Sequence, residues 1–245
     1  MSRILAGPRA VTEALRSRRT VQAVFVQRGG RKALREVADA AAQAKVRVEE
    51  REGEELDALA EGHKHQGVVA IAGDYPYVDL DQIVAKAAAP ALLVGLDQIT
   101  DPYNFGAIVR SAVAFGADGV ITMKKRAAPV TPVVVRASAG ATEHLPIARV
   151  TNLSRSLEQL RERGMDAIGL DADGELAIDD LPPCDAGRVL VVGAEGKGLR
   201  RLVRERCTFL ARIPQVGPVA SLNASVAASV ALYALASERR SRTAK

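Results

Sequence analysis

The stretch ALLVGLDQITDPYNFGAIVRSAVAFGADGVIT (91–122) decides the fold class. Its first six residues are apolar with a single glycine among them, as expected of a strand covered on both faces. Asp101-Pro102 then turns the chain, a helical stretch runs over 104–115, and a second, β-branched strand follows at 119–122. A strand, a helix and a strand in so short a span form one crossover unit of a parallel sheet. The same alternation continues downstream. Strands are expected near 147–150, 166–170, 189–192 and 209–213, with helices at 133–139, 153–163, 199–207 and 222–239. Short apolar strands separated by helices predict an α/β domain built on a mostly parallel sheet.

Upstream of this stretch, the first 73 residues read as a smaller α/β unit. Helices are expected at 8–18, 32–44 and 52–60, and strands at 21–26, 46–48 and 67–71. The texture changes in GDYPYVDLDQIVAKA (73–87), where Pro76 and clustered acids interrupt the apolar pattern. The chain therefore divides into a domain at 1–73, a linker at 74–90 and a second domain at 91–245.

Composition bounds the function. The 245 residues are 48% hydrophobic and 26% charged, which excludes a disordered or fibrous chain. No apolar run approaches the length of a membrane span, and the N-terminus lacks the apolar core of a secretory signal. Two cysteines, Cys184 and Cys207, have no metal-type spacing. These features predict a reduced, cytoplasmic protein with no membrane partner and no metal site. His63 and His65 flank Lys64 without a third ligand nearby and read as surface or RNA-contacting residues.

The formal charge of +5 is unevenly spread. Residues 1–35 hold nine Lys or Arg against Glu13 alone, whereas 36–61 hold nine acids and three bases. A second basic cluster runs through Lys197, Arg200, Arg201, Arg204, Arg206 and Arg212, and a smaller one is Lys124, Lys125 and Arg126. Such patches suit a phosphate backbone, and they equally suit solvated helix faces. With eight aromatics and no Trp, base stacking is not the expected mode of nucleic-acid recognition.

Three loop-to-helix junctions carry the unusual residues. In the first, Asn104 reads as a helix N-cap or as a ligand contact, and Arg110 as a surface charge or a second contact. The second, VLVVGAEGKGLRR (189–201), is a strand followed by a glycine-rich turn. It fails the Walker spacing, because Gly193 and Gly196 are separated by two residues and Gly198 follows Lys197. It also fails the dinucleotide fingerprint, and Glu195 in the turn would repel pyrophosphate. Glu195 suits a cationic or hydroxyl-bearing ligand, or simply a helix N-terminus. In the third, IPQVGPVASLNASVAASVALYALA (213–236), Ser221 and Asn223 are natural caps for a helix of small residues. All three junctions follow the C-terminal end of a strand, where open parallel sheets bind ligands.

Taken together, DPYNFGAIVRSA, VVGAEGKGLRR and IPQVGPVASLNASVA resemble, in order and spacing, the three motifs of the SpoU/TrmH (SPOUT) family of RNA ribose 2′-O-methyltransferases. The likeness covers roughly 91–236. AGPRAVTEAL (6–15) and HQGVVA (65–70) resemble the substrate-binding module of the ribosomal RNA branch, a small α/β unit similar to some large-subunit ribosomal proteins. The resemblance implies S-adenosylmethionine as methyl donor and a trefoil knot in the sheet domain. It implies Gly193, Gly196, Ile213 and Leu222 as cofactor-binding positions. Asn104, Arg110, Glu195, Ser221 and Asn223 become the catalytic set, with Arg110 meeting the target nucleotide. It implies a tight homodimer with a composite active site. The expected substrate is RNA rather than DNA: a guanosine in the peptidyl-transferase region of 23S rRNA, with a tRNA or a resistance-type rRNA site as the alternative. A non-catalytic RNA-binding protein of the same fold is the reading from a different class. The basic N-terminal segment is expected to hold the RNA.

Overall fold

A computed structural model describes residues 3–17, 21–29, 33–218 and 221–243, which form two compact units. The first contains 1–76 together with 130–144, and the second contains 77–129 and 145–245.

In the first unit, β1 (Arg3–Ala6), α1 (Pro8–Arg16), β2 (Val21–Gln27), α2 (Ala33–Ala44), β3 (Val48–Arg51), α3 (Gly53–Leu59) and β4 (Val68–Ala72) follow in order. The sheet runs β1-β4-β2-β3, antiparallel except for the parallel β2–β3 pair. Pro8 opens α1, where its missing N–H costs nothing, and Ala10, Val11, Ala14 and Leu15 form its buried stripe. Glu52 and Glu55 make a reciprocal capping box at the start of α3. Phe25, Leu56, Ala60 and Val69 pack a small core beneath this helix.

The second unit begins within the expected linker, where α4 (Leu80–Lys86) buries Ile83 in the main core. Next come β5 (Ala91–Asp97), α5 (Pro102–Ala114) and β6 (Gly119–Met123). After Pro129 the chain leaves this unit, forms α6 (Pro132–Ala137) and a 3-10 turn at Ala141–Glu143, and returns at Leu145. Then follow β7 (Ile147–Val150), α7 (Leu153–Glu162), β8 (Asp166–Leu170), β9 (Leu176–Ala177), β10 (Gly187–Gly193), α8 (Arg201–Arg204), β11 (Phe209–Arg212) and α9 (Ala224–Thr243). The seven strands are all parallel, in the order β7-β6-β5-β10-β8-β11-β9.

The parallel α/β class expected from the sequence is therefore present. Helix α5 buries Phe105, Ile108, Val109 and Ala112, and α7 buries Leu153, Ser156, Leu157 and Leu160. Both sets follow the i, i+3, i+4, i+7 stripe of a helix with one face on a sheet. Each large apolar side chain so buried contributes about 1.5–3 kcal/mol. Among the described residues no helix is long and apolar enough to cross a membrane.

Two short strands, β1 and β9, are not expected from the sequence, and three further details differ from that expectation. Residues 130–144, read as part of the second domain, pack with the first unit. There the buried Arg3 guanidinium meets Glu143 at 2.8 and 3.2 Å and lies 5.3 Å above the Tyr75 ring, whose hydroxyl donates to the Thr142 carbonyl at 2.7 Å. The linker contains a helix. And α8 spans four residues rather than nine: Arg200 is extended at its head with its backbone N–H committed elsewhere, and past Arg204 the N–H groups of Arg206 and Cys207 turn back only three residues, to the Val203 and Arg204 carbonyls.

Candidate functional site

Strand order reverses between β5 and β10: the chain proceeds from β5 outward to β6 and β7, then crosses to build the other half. Ligands of open parallel sheets bind outside the strand ends at such a switch point. Here Asp97, the last residue of β5, lies in register with Gly193, the last of β10. Asp97 is 1% exposed. It accepts from the Arg200 backbone N–H at 2.8 Å and from Arg200 Nε at 2.7 Å, while Arg200 Nη2 reaches Met123 Sδ at 3.2 Å. This clamp ties the exit of the glycine-rich turn to the end of β5. From the sequence Arg200 reads only as one member of a basic cluster, and Asp97 goes unremarked, its one signal being an acid at the end of an apolar strand.

The turn itself is self-closing. Gly198 N–H donates to the Ala194 carbonyl at 2.8 Å, and Gly196 and Gly198 take φ of +70° and +62°, a region that penalises other residues. A Cβ on Gly193 would lie 2.3 Å from the Gly198 backbone, so that glycine is demanded by the turn's own return. The turn carries Glu195 and Lys197, both exposed.

At the third junction Asn223 caps α9, its Oδ1 accepting from the Ser225 and Val226 N–H groups at 2.9 and 3.2 Å. Its Nδ2 donates to Asn104 Oδ1 at 3.0 Å and to Glu195 Oε1. Asn104 is not the cap of α5. Asp101 fills that position, accepting from the Tyr103 and Asn104 N–H groups at 3.1 Å each. This frees the Asn104 side chain, 7% exposed, to meet Asn223. One asparagine thus joins all three junctions.

Two clefts open here. One, of about 600 Å3, is lined by the whole glycine turn, by Ile213, Ser221, Leu222 and Asn223, and by Asp171 and Asp173. The other, of about 430 Å3, is lined by Asp101, Asn104, Arg126, Glu195 and Lys197 among others. Ala194, Glu195 and Lys197 line both, so the turn is the ridge between them. Gly193, Gly196, Ile213, Ser221 and Leu222 share the first cleft, and Asn104 faces the second. Arg110 lines neither: it is exposed on α5, seven residues from exposed Tyr103 on the same helical face. The larger cleft, whose lining carries Asp171, Asp173 and Glu195 against Lys197 and Arg204, has room for a ligand the size of a nucleoside joined to an amino acid.

Charge takes a different form from the sequence expectation. Of the nine bases in residues 1–35, Arg18, Arg19, Arg31 and Lys32 lie outside the described residues. Arg3, Arg16 and Arg28 are ion-paired within the first unit, which leaves Arg9 and Arg35. In the second cluster Arg200, Arg201, Arg204 and Arg206 pair with Asp97, Glu205, Asp171 and Glu158, and Arg212 donates to the Gly174 and Glu175 carbonyls. His65 Nδ1 accepts from the Gly67 N–H at 3.0 Å, so Nε2 carries the proton and donates to Asp57, also at 3.0 Å. That histidine holds its own turn.

Among the described residues no cluster of three or more potential metal ligands occurs. Burial, and next the Asp97 charge, push the Cys207 thiol up to about 12.

Comparison with known proteins gives a consistent result. The SpoU rRNA Methylase family matches residues 91–233, and the RNA 2′-O ribose methyltransferase substrate binding family matches residues 4–78. A tRNA/rRNA methyltransferase of Mycolicibacterium vanbaalenii is 45% identical over 97% of this chain and 77% of its own length. Among solved structures, the SpoU methyltransferase AviRb from Streptomyces viridochromogenes, in complex with the cofactor AdoMet, is 28% identical with a TM-score of 0.82, covering 98% of this chain and 91% of that one. An AdoMet-bound rRNA methyltransferase from Sinorhizobium meliloti is 25% identical with a TM-score of 0.80, covering 97% and 87%.

Proposed function

Because the chain belongs to the SpoU family of RNA methyltransferases, we propose that it moves the methyl group of S-adenosylmethionine to the 2′-hydroxyl of a ribose in RNA, with a guanosine of 23S rRNA as the acceptor. The observation that carries this reading is the Asn223 bridge to Asn104 and Glu195, set on the ridge between two clefts. Two molecules held in adjoining clefts meet at that ridge, and a displacement at carbon asks above all for such alignment. The match of residues 4–78 to an RNA 2′-O ribose methyltransferase substrate-binding family supports an RNA ribose as the acceptor, and the match of residues 91–233 to the SpoU rRNA Methylase family favours ribosomal RNA.

The larger cleft fits the cofactor chemically. Asp173 offsets a positive charge, Asp171 being already paired with Arg204, and the backbone of the Gly193–Gly198 turn and of Leu222 would bind an adenosine without a charged side chain. When bound, S-adenosylmethionine supplies an electrophilic methyl group on a positively charged sulfur. Asn104, Glu195 and Asn223 keep the ridge in one geometry, and Ser221 offers a hydroxyl at the cleft's mouth. Arg110 is unsuited to be a base, since a guanidinium loses its proton only above about pH 12. Its role in this reading is to bind RNA phosphate in the site of a second copy, as a homodimer through α5 and α9 would allow. Tyr103, Val226, Val230 and Tyr233 are exposed apolar side chains on those two helices, a face suited to such a contact. The expected trefoil knot belongs to the same proposal, as does cytoplasmic residence.

The test is incubation with methyl-labelled S-adenosylmethionine and RNA from cells lacking this protein. Label in 23S rRNA is expected. Label confined to tRNA would overturn the substrate, and none in any RNA would favour the non-catalytic reading.

A further inference from the structure

Internal ion pairing leaves few basic side chains near the site without a carboxylate. Of the six bases from Lys197 to Arg212, Lys197 has no side-chain partner among the described residues, whereas the others are all engaged. The short cluster Lys124, Lys125 and Arg126 is exposed and likewise unpaired among the described residues. Of these, Arg126 lines the 430 Å3 cleft, and so does Lys197. They reach it from different loops, one following β6 and the other following β10.

Both loops are held. Ala128, 7% exposed, donates its N–H to the Ile99 carbonyl in the cleft wall at 2.9 Å. Arg149 Nη2 donates to the Lys124 carbonyl at 2.9 Å, with its guanidinium 4.8 Å above the Tyr77 ring. Arg126 adopts φ of +60°, a conformation costing a residue with a Cβ about 1 kcal/mol, which these anchors on either side sustain. Lys197 stands on the closed turn between Gly196 and Gly198.

The acids of the same cleft are already committed. Asp101 caps α5 through two N–H groups, and Glu195 accepts from Asn223. Among the described residues, the two cations are therefore the charged side chains of the cleft left without an internal partner, and preorganised loops present them.

We infer that Arg126 and Lys197 form a phosphodiester-binding subsite, gripping the RNA backbone beside the ribose presented to Asn104. Arg126 supplies a fork for two phosphate oxygens, and Lys197 a point charge from the ridge. The subsite rests on the RNA-methylating reading for the identity of its ligand. It moves the electrostatic hold on RNA from the N-terminal segment to the mouth of the active cleft.

The experiment uses the full chain with a fluorescent mixed-sequence 20-nucleotide RNA across a salt series, and calorimetry of S-adenosylmethionine binding in parallel. R126Q and K197Q should each weaken RNA binding about tenfold at low salt. Each should also lower the slope of log affinity against log salt by about 0.7, one phosphate contact to single-stranded RNA. R126K should recover most of the affinity, and S-adenosylmethionine affinity should not change in R126Q or R126K, since Arg126 lines only the smaller cleft. Unchanged RNA affinity and slope in R126Q and K197Q would overturn the subsite. So would a parallel loss of S-adenosylmethionine binding in R126Q, which would assign that cation to the cofactor's carboxylate. Wild-type protein that binds the RNA with the predicted slope but methylates nothing would leave the subsite standing and remove the proposed activity.

Discussion

Asp97 and Arg200, 103 residues apart, are joined by two hydrogen bonds of 2.8 and 2.7 Å across the point where the sheet reverses its strand order. The carboxylate is buried and the guanidinium partly exposed. Through this pair, the strand that precedes the first junction determines where the glycine turn of the second one ends.

Replacing Asp97 with Asn should therefore loosen the turn. The variant loses a charge-assisted acceptor to Arg200 Nε in a water-poor site, a cost of about 2 kcal/mol in urea unfolding. S-adenosylmethionine affinity should fall with it, since the turn floors the larger cleft. Unchanged affinity in a folded D97N protein would separate the clamp from the site.

Asn223 has two separable tasks. Asn223→Ser keeps an oxygen for the Ser225 and Val226 N–H groups but removes the donor to Asn104 and Glu195. Stability should stay within about 0.5 kcal/mol of wild type, while methyl transfer falls at least tenfold. Asn223→Ala loses the cap as well, costing about 1 kcal/mol. Thermal melts of both variants beside their turnover numbers distinguish the two tasks.

The Arg3–Glu143 pair carries the assignment of residues 130–144 to the first unit. Both side chains are almost wholly buried, so Glu143→Ala strands a guanidinium and should cost about 3 kcal/mol. The loss should appear in the melting temperature and not in S-adenosylmethionine affinity at temperatures where the variant is folded.

Cys207 sets a pH dependence. Its thiol, pushed up to about 12, stays neutral in the folded chain at pH values where an unfolded cysteine, with its ordinary value of 9.0, ionises. Its contribution to stability is complete below about pH 9 and is lost as pH rises from there toward 12. At pH 8.5 native protein should resist iodoacetamide at Cys207, whereas protein in urea should react. Mass mapping of the alkylated peptide reads this directly; rapid native alkylation would contradict the burial.

Much of this architecture is legible in the sequence because its signals are local. The apolar run 91–96 and the stripe Phe105, Ile108, Val109, Ala112 specify β5 and α5 from neighbouring residues alone. The three junctions are equally local, and the structure brings all three together through Asn223. What stayed hidden depends on remote partners. Arg206 reads as a free cation until Glu158 lies 3.0 Å from it, and Arg3 as part of an RNA-holding patch until Glu143 buries it. Asn104 is a different case: Asp101 followed by Pro102 is itself a local capping signal, and reading that pair as a turn is what left Asn104 as the apparent cap. Strand β9, two residues long, is too short for any period to mark.

The central claim is that the ridge between the two clefts presents a ribose hydroxyl to a methyl donor. The most direct measurement is nuclease digestion of RNA methylated by this protein, followed by mass analysis of the labelled nucleoside. A methyl group on the ribose is expected with wild-type protein, and at least tenfold less of it with Asn223→Ser protein. A methyl group on a base, or wild-type levels of ribose methylation by Asn223→Ser, would contradict it.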